Sequence, residues 1–145
     1  MGRLIQKDDE AQLATCHPDL VRLIKEVVKR VPFDCIIIYG HRSVAVQQQL
    51  FTIGRTRPGR IVTNLDGVNK RSRHNFTPSL AVDIAPHSVV SSGVWKDSAR
   101  SRAEFNQLGQ TAEAVAKELG ITDYRWGGRF TRPVDMPHHE LTRKV

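Results

Sequence analysis

The strongest periodic pattern in the chain predicts an amphipathic helix near its start. Between Asp19 and Val31, aliphatic side chains recur three or four residues apart, and lysine and arginine occupy positions between them. This spacing places the aliphatic side chains on one face of a helix. The helix should end before Pro32, because a proline disfavours helical backbone angles in the residue that precedes it. A shorter helix is predicted from about Asp9 to Thr15.

Further along the chain, short apolar runs alternate with helical patterns. Ser43 is a favoured N-cap for a helix that ends at Gly54, and a long helix is predicted from about Asp97 to Leu119. Short runs of apolar and β-branched residues predict strands. These strands are Asp34–Tyr39, Ala81–Ala85 and a last one around His138–Thr142.

Two segments lack either pattern and are predicted to be loops. Arg55–Pro78 is rich in glycine, proline, asparagine and basic residues, and long loops in compact domains usually carry function. The second predicted loop is Tyr124–Gly128. The order of helices and strands indicates an α+β fold, in which helices pack against a small, mostly antiparallel sheet. A length of 145 residues fits one domain.

The composition adds one unusual feature, a formal charge of +7 with a pI near 9.9. A charge of this sign attracts polyanions, and nucleic acid, anionic lipid and bacterial envelope polymers all qualify. The basic residues are spread along the chain, without a dense basic helix or the alternation of basic and aromatic residues that single-strand binders use. Charge alone therefore does not identify the partner.

Cysteine use and the N-terminal segment bear on the compartment. Cys16 and Cys35 lack the spacing of a zinc knuckle or a redox pair, so we expect two free, buried thiols in a reducing compartment. The segment Met1–Glu10 turns acidic where a secretory signal would become apolar, and no apolar run approaches the roughly 20 residues that span a bilayer. We therefore expect the product to stay in the cytoplasm of the cell that makes it, unless another device releases it.

A carboxylate interrupts the second predicted strand. Alternation along Leu80–Ala85 puts Asp83 on a face with two alanines, away from the larger aliphatic side chains. Burying this carboxylate without a partner would be costly, so it requires a metal, another cation or several hydrogen-bond donors. An ion pair with Arg73 is the simplest alternative to a metal. Two other polar groups stand out, Gly40–Ser43 at the end of the first strand and Asp135–Leu141 at the last.

Three signatures follow one another along the chain. Gly-x-Arg-Ser at a strand end is Gly40-His41-Arg42-Ser43. Ser-x-His, followed by small-x-Ala-x-Asp, corresponds to Ser72-Arg73-His74 and Ser79-Leu80-Ala81-Val82-Asp83. An acidic residue three positions before His-x-Glu-Leu corresponds to Asp135 and His138-His139-Glu140-Leu141. In this order the signatures resemble those of the zinc peptidases that cut the peptide stems of bacterial cell walls.

The resemblance extends from about Ala11 to Leu141 and includes Trp126-Gly127-Gly128. Within the family, the chain is most similar to the L-alanyl-D-glutamate endopeptidases of phages, which are small one-domain endolysins. The D-Ala-D-Ala carboxypeptidase branches more often carry Glu and Trp near the final histidine, where this chain has Asp135 and Pro137.

The resemblance implies a set of site residues. The implied zinc ligands are His74, Asp83 and His138, and two imidazoles with one carboxylate leave the fourth zinc position to water, as in catalytic zinc sites. Asp135 would act as general base. Arg42 would supply positive charge, either to the developing oxyanion or to a carboxylate of the substrate.

The sequence departs from the family signatures in one segment and leaves one ligand ambiguous. The gap from His74 to Asp83 is somewhat longer than in the tightest form of the signature, and Ser79 stands where many relatives have glycine; the loop before the strand can absorb the extra length. His139 is a second candidate for the last ligand. Adjacent residues of a strand point to opposite faces, so only one of the two histidines can bind the metal, and the family register selects His138.

For the whole protein, the resemblance implies a Hedgehog/DD-peptidase-like fold and a single zinc peptidase catalytic domain over residues 1–145, without a separate cell-wall-binding domain. The implied function is that of a phage endolysin that hydrolyses the L-Ala–D-Glu bond of peptidoglycan stem peptides. We expect a monomer that stays in the host cytoplasm until lysis and then reaches the periplasm and cell wall with the help of a holin. Two alternatives are a D-Ala-D-Ala carboxypeptidase of the same family and a basic nucleic-acid-binding protein. The lack of a recognition helix or stacking pattern disfavours the second alternative.

Overall fold

A four-stranded antiparallel sheet organises the chain. The structure is a computed structural model that describes residues 1–91 and 94–144. The sheet contains β1 (Cys35–Tyr39), β2 (Ala81–Pro86), β5 (Tyr124–Trp126) and β6 (His138–Leu141). Neighbouring strands follow the order β1-β2-β6-β5, and each pair is antiparallel. A separate two-stranded ribbon pairs β3 (Val90–Ser91) with β4 (Val94–Trp95).

In the described part of the chain, four α-helices accompany the sheet, close to the predicted positions. They are α1 (Asp9–Leu13), α2 (Pro18–Arg30), α3 (Val44–Thr52) and α4 (Ala99–Glu118). The Ser43 side chain caps α3 by accepting a hydrogen bond from the Val46 amide, as its place before the helix predicts. Ser98 caps α4 through a reciprocal pair of hydrogen bonds with Ser101. The predicted α+β class is confirmed.

The hydrophobic core lies between one face of the sheet and the helices α2 and α4. Val82 and Ile84 of β2 and Leu141 of β6 point into it, as alternation along each strand requires. The two helices contribute side chains that are all less than 2% exposed, namely Leu20, Leu23, Ile24, Val27, Leu108, Ala112 and Val115. Burying a large aliphatic side chain contributes about 1.5–3 kcal/mol. The principal core therefore lies on this face. A smaller apolar cluster of Ile36, Ala85, Val89 and Phe105 includes residues of the opposite face, which also carries the polar groups.

One of the two predicted loops is partly a strand in the structure. The sequence predicts a loop over Tyr124–Gly128, whereas Tyr124–Trp126 forms β5 and a 3-10 helix follows at Gly127–Arg129. Three residues are too few to display alternation, and the hydrogen bonds that define β5 come from β6, which lies later in the sequence. The β3–β4 ribbon also has no counterpart in the prediction. The other loop, Arg55–Pro78, is confirmed, and the short 3-10 helix Arg73–Asn75 is its one regular element.

The cysteines match the expectation from the sequence. Cys16 and Cys35 are both buried and free. Burial raises the pKa of Cys16 to about 11 and that of Cys35 to about 12, so both remain protonated thiols at neutral pH. Separately, none of the helices in the described ranges combines the length and apolar character that a membrane span needs.

Replacing Gly109 by alanine should destabilise the protein, although this change in a helix usually adds about 1 kcal/mol of stability. A Cβ atom at Gly109 in α4 would lie 2.1 Å from the Trp126 indole, which is itself buried. Overpacking of this kind costs about 1–3 kcal/mol. Denaturant unfolding should show a lower midpoint for Gly109→Ala. The neighbouring exposed position provides the control, since Gln110→Ala should leave the midpoint almost unchanged.

Candidate metal centre

The pairing between β2 and β6 brings two of the predicted ligands together. Asp83 lies directly across from His138 in this antiparallel pair, and directly opposed residues carry their side chains on the same face. That face is the one opposite the hydrophobic core. On the other side of β2, Tyr39 of β1 lies across from Asp83, after a register shift that follows Ile37. Such a bulge changes the direction in which the side chains at the end of a strand point.

The third predicted ligand, His74, joins these two residues from the long loop. The distances from the Asp83 Oδ1 atom to His74 Nε2 and to His138 Nδ1 are both 3.1 Å. One nitrogen or oxygen atom from each of the three residues lies within 4.8 Å of the others. His74 is 1% exposed, Asp83 9% and His138 8%. The structure thus brings together, in a nearly buried position, the three residues that the signatures single out.

The backbone around His74 is tied to the end of β1. Ser72 caps the 3-10 helix that contains His74, and the Asn75 side chain accepts a hydrogen bond from the Ser72 amide. The Asn75 side chain also donates to the Arg42 carbonyl at 2.8 Å, and the Arg42 amide donates to the His74 carbonyl at 2.8 Å. These bonds link the Ser-x-His and Gly-x-Arg-Ser signatures, which lie about 30 residues apart along the chain.

Hydrogen bonds on the outer nitrogens define the tautomers of both histidines. His74 Nδ1 lies 2.8 Å from the Gly40 carbonyl, which can only accept, so Nδ1 carries a proton and Nε2 is the nitrogen left for a metal. His138 Nε2 lies 2.7 Å from the Glu140 carboxylate. An ionised carboxylate also only accepts, so Nε2 of His138 carries a proton. In each ring, the nitrogen that faces Asp83 is the one available to a metal.

Asp83 has a permanent cationic partner, but it is not the one that the sequence suggests. Arg42 Nη2 lies 3.2 Å from Asp83 Oδ2, and Arg42 Nη1 donates to Gln47 at 2.9 Å. Arg73 instead donates to main-chain carbonyls of the C-terminal segment, so it does not form the ion pair that the sequence offered as an alternative to a metal. Burial alone would raise the pKa of Asp83. The charges and hydrogen bonds of His74 and the second histidine outweigh it and hold that pKa well below its usual range.

The Asp135 carboxylate lies beside the three grouped side chains, and the Asp135 carbonyl accepts a hydrogen bond from the His138 amide at 3.1 Å. The Asp135 Oδ2 atom is 4.0 Å from His138 Nδ1, and the Asp135 side chain is 43% exposed. Surrounding protein atoms still desolvate this carboxyl, and together with the neighbouring Asp83 carboxylate they raise its pKa above the ordinary value. The Asp135 amide donates to the Gly127 carbonyl at 2.9 Å. A Cβ atom at Gly127 would lie 2.2 Å from the Asp135 carbonyl oxygen, so only glycine permits this close approach.

His139 points to the opposite face of β6, as strand alternation predicts. It is 1% exposed, and its Nδ1 atom lies 2.6 Å from the Tyr124 hydroxyl on the adjacent strand. Burial lowers the pKa of His139 to about 3, so this ring is neutral at physiological pH. Its position on the core side of the sheet gives His139 a packing role.

Two residues without a role in the sequence-based prediction complete the centre. Glu140, two positions after His138 on the same face, bonds to that histidine and also to Arg125, whose Nη2 atom lies 2.8 Å from Glu140 Oε2. Burial alone would raise the pKa of Glu140, but these two partners lower it to about 2. The His-x-Glu-Leu signature contained Glu140, and period-two alternation could have placed it beside the histidine. Arg125 carried no such signal, because it lies on the strand predicted as a loop.

The polar face opens into a cleft. A cavity of about 660 Å³ reaches the three grouped residues and Asp135. Five arginines line it, against three carboxylates. They are Arg42, Arg71, Arg73, Arg125 and Arg132. The cleft is therefore a positively charged approach to a buried group of potential metal ligands.

Comparison with known proteins agrees with this geometry. The sequence model of the family described as "Phage L-alanyl-D-glutamate peptidase" matches residues 1–145. The chain belongs to this family. A crystal structure of the Serratia marcescens L-Ala D-Glu endopeptidase ChiX is similar, with a TM-score of 0.69 and 27% sequence identity. The match covers 97% of this chain and 90% of ChiX.

Two curated members of the family are similar in sequence. The peptidoglycan L-alanyl-D-glutamate endopeptidase CwlK of Bacillus subtilis (strain 168) is 33% identical over 122 residues, which are 81% of this chain and 66% of CwlK. The L-alanyl-D-glutamate peptidase of Escherichia phage T5 is 27% identical over 137 residues, which are 94% of this chain and 88% of the phage protein. The chain thus spans nearly all of the phage relative and about two thirds of the Bacillus relative.

The chemistry of the three grouped residues fits a zinc ion. Ligand atoms around a tetrahedral zinc lie roughly 3.4 Å apart when each bond is about 2.1 Å long, and the two nitrogen-to-oxygen distances here are 3.1 Å. In both imidazoles the nitrogen that faces the shared carboxylate is the one left for a metal, because the other nitrogen already donates to the Gly40 carbonyl or to Glu140. Three protein donors are also the number found in catalytic zinc sites, whereas structural sites use four.

Replacing His138 by alanine should abolish zinc binding, whereas His139→Ala should leave one zinc ion per chain. The reason is that only the first of these rings faces Asp83, while the second faces the core. Metal content after dialysis, measured by atomic emission, checks this expectation. His139→Ala should reduce stability, because a buried side chain is removed. Zinc lost from His139→Ala and retained by His138→Ala in folded protein would reverse the assignment.

Proposed function

We propose that the protein is a zinc peptidase that hydrolyses the L-Ala–D-Glu bond of peptidoglycan stem peptides. The observation that carries this proposal is the buried group of His74, Asp83 and His138 at the base of a basic cleft, in a chain of the phage L-alanyl-D-glutamate peptidase family. The names of the three relatives describe the same bond.

The three grouped residues are the proposed zinc ligands, through His74 Nε2, His138 Nδ1 and the Asp83 carboxylate. A zinc ion bound there would act as a Lewis acid that polarises a carbonyl group and acidifies water. The Oδ1 atom of Asp83 contacts both histidine rings, and its Oδ2 atom contacts Arg42. The carboxylate therefore stays oriented and ionised before any metal arrives.

Asp135 is the proposed general base. Its carboxylate lies on the cleft side of His138, at 4.0 Å from the ring nitrogen proposed as a ligand, and is accessible to solvent. From this position it can take a proton from the attacking water and return it to the leaving amine. The Gly127 contact holds its backbone in place.

Arg42 and the other arginines of the cleft are proposed to meet the negative charge of the substrate. Peptide stems carry several carboxylates, and the carbonyl oxygen gains negative charge as the bond breaks. Arg42 is 9% exposed and contacts Asp83, so it supplies its positive charge from the wall of the centre. Arg71 and Arg132 line the cleft and have no carboxylate within 4.0 Å among the described residues, so they remain available to the substrate.

The biological setting follows as part of the same proposal. Residues 1–145 would act as one catalytic domain, which the four-stranded sheet and its principal core support, and as a monomer. An endolysin of this kind waits in the host cytoplasm until lysis. It then reaches the periplasm and cell wall through the action of a holin, and its positive charge favours anionic envelope polymers.

Asp135→Asn should retain zinc but lose at least about 100-fold in kcat, because the amide cannot accept the proton from water. Hydrolysis of a defined stem peptide and metal content should be measured on the same preparation. Asp97→Asn removes an equal charge from an exposed site outside the cleft and should leave kcat unchanged. Turnover of Asp135→Asn close to that of the unaltered protein would exclude Asp135 as the base.

Mass spectrometry of the products released from purified Gram-negative peptidoglycan tests the function itself. With zinc present, we expect peptides that begin at D-Glu, while L-Ala stays on the glycan, and a chelator should prevent their release. Release of D-Ala alone would instead identify a carboxypeptidase. The absence of any metal-dependent product would refute peptidase activity and favour nucleic acid as a partner.

A further inference from the structure

We propose that Glu140 and Arg125 form a positioning pair that selects the nitrogen which His138 presents to the metal. This inference rests on the proposed zinc site but not on the bond that the enzyme cleaves. It assigns a function to a carboxylate that is 6% exposed at the base of the cleft and does not belong to the grouped ligands.

The three side chains form a continuous chain of hydrogen bonds on one face of the sheet. His138 Nε2 donates to Glu140 Oε1 at 2.7 Å, and Arg125 Nη2 donates to Glu140 Oε2 at 2.8 Å. Strand geometry supports both contacts. Glu140 follows His138 by two positions on β6, and Arg125 lies directly across from Glu140 on β5. Each carboxylate oxygen thus has its own partner, which fixes the orientation of the carboxylate.

The centre requires such a pair because carboxylates face both nitrogens of His138. Asp83 lies 3.1 Å from Nδ1, and Asp135 lies 4.0 Å from the same atom. A metal requires the neutral form of the ring, and in that form a proton on Nδ1 could donate to Asp83 but would prevent Nδ1 from binding the metal. The bond from Nε2 to Glu140 keeps the proton on the other side of the ring. It also raises the electron density that the ring offers to a metal.

The two histidine ligands differ in what orients them. His74 donates to the main-chain carbonyl of Gly40, which no side-chain substitution removes. The orientation of His138 depends on the side chain of Glu140. The Phe130 ring packs near His138, with centroids 5.9 Å apart, and the Arg125 guanidinium lies 5.2 Å from the centroid of Phe130. Arg125 thus contacts both side chains that flank the His138 ring, Glu140 through a hydrogen bond and Phe130 through its aromatic face.

The test is the dissociation constant of zinc, measured by competition with a chromophoric chelator and without any substrate. Glu140→Ala should bind zinc about 10- to 100-fold more weakly than the unaltered protein, which is the usual effect of losing such a partner. Glu140→Gln should bind with intermediate affinity, because its amide oxygen still accepts from Nε2 but carries no charge. Arg125→Ala should have a smaller effect than Glu140→Ala.

A matched control uses the arginine–glutamate pair of Arg129 and Glu113, neither of which lines the cleft. Arg129 bonds to both oxygens of Glu113, and neither residue contacts the three ligands. Glu113→Ala should leave the zinc dissociation constant unchanged. Unfolding of the metal-free variants must also be measured, and Glu140→Gln, which keeps the shape of the side chain, serves as the informative variant if Glu140→Ala does not fold.

A spectroscopic measurement separates positioning from a general structural role. The nitrogen-15 chemical shifts of His138 in the zinc-bound protein should show a protonated Nε2 and a ligating Nδ1. Metal-free Glu140→Gln should show protonation shared between the two nitrogens.

Two results would refute the positioning role. One is that Glu140→Ala binds zinc as tightly as the unaltered protein does, and the other is that His138 of the unaltered protein binds zinc through Nε2. If the unaltered protein binds no zinc, both proposals fail. If it binds zinc but cleaves another bond, only the proposed function fails.

Discussion

Asp83 faces His138 across the antiparallel pair of β2 and β6, and the whole centre depends on that register. Side chains alternate between the two faces of a sheet, so a shift of one residue would move every side chain of a strand to the other face. Such a shift would bring His139 to the polar face and place a ligand in the core. The aliphatic side chains of β2 resist it, because Val82 and Ile84 would leave the core that α2 and α4 complete. The hydrophobic core and the polar centre therefore specify the same register from opposite faces.

The centre contains several buried charges, each of which would destabilise the folded protein if it had no partner. Isolated buried ions are costly, and their cost falls when each has partners with good geometry. Asp83 meets two imidazoles and the Arg42 guanidinium, and Glu140 meets one imidazole and Arg125. Each carboxylate is thus shared between a histidine and an arginine. This arrangement keeps both carboxylates ionised and both rings oriented without a metal, which reduces the rearrangement that binding requires.

The remaining site residues lie in connecting segments outside the strands of the sheet. His74 and Asp135 lie in connections, where the backbone can approach the sheet from outside. Main-chain hydrogen bonds join His74 to Arg42 and Asp135 to Gly127. The Gly127 contact shows how closely these segments pack. Functional residues often lie on loops that a rigid scaffold positions. Here the scaffold is one short sheet with its apolar face covered by two helices.

Local patterns in the sequence were sufficient to predict the helices, the strands β1, β2 and β6, and the residues that meet in the centre. Periodicity encodes these elements, because each repeats its apolar positions often enough to reveal the face that it buries. The signatures alone marked His74, Asp83 and His138. Alternation along the last strand showed that only one of His138 and His139 could face the centre, and the family register selected His138.

The other features required the tertiary structure. It showed that β5 is a strand, that Arg42 and not Arg73 pairs with Asp83, and that Arg125 and Glu140 support His138. These features depend on contacts between residues that are distant in sequence, or on a strand too short to show a period. The energy that stabilises these contacts depends on residues of two segments that meet only in the folded protein. The pattern of either segment alone therefore does not predict them.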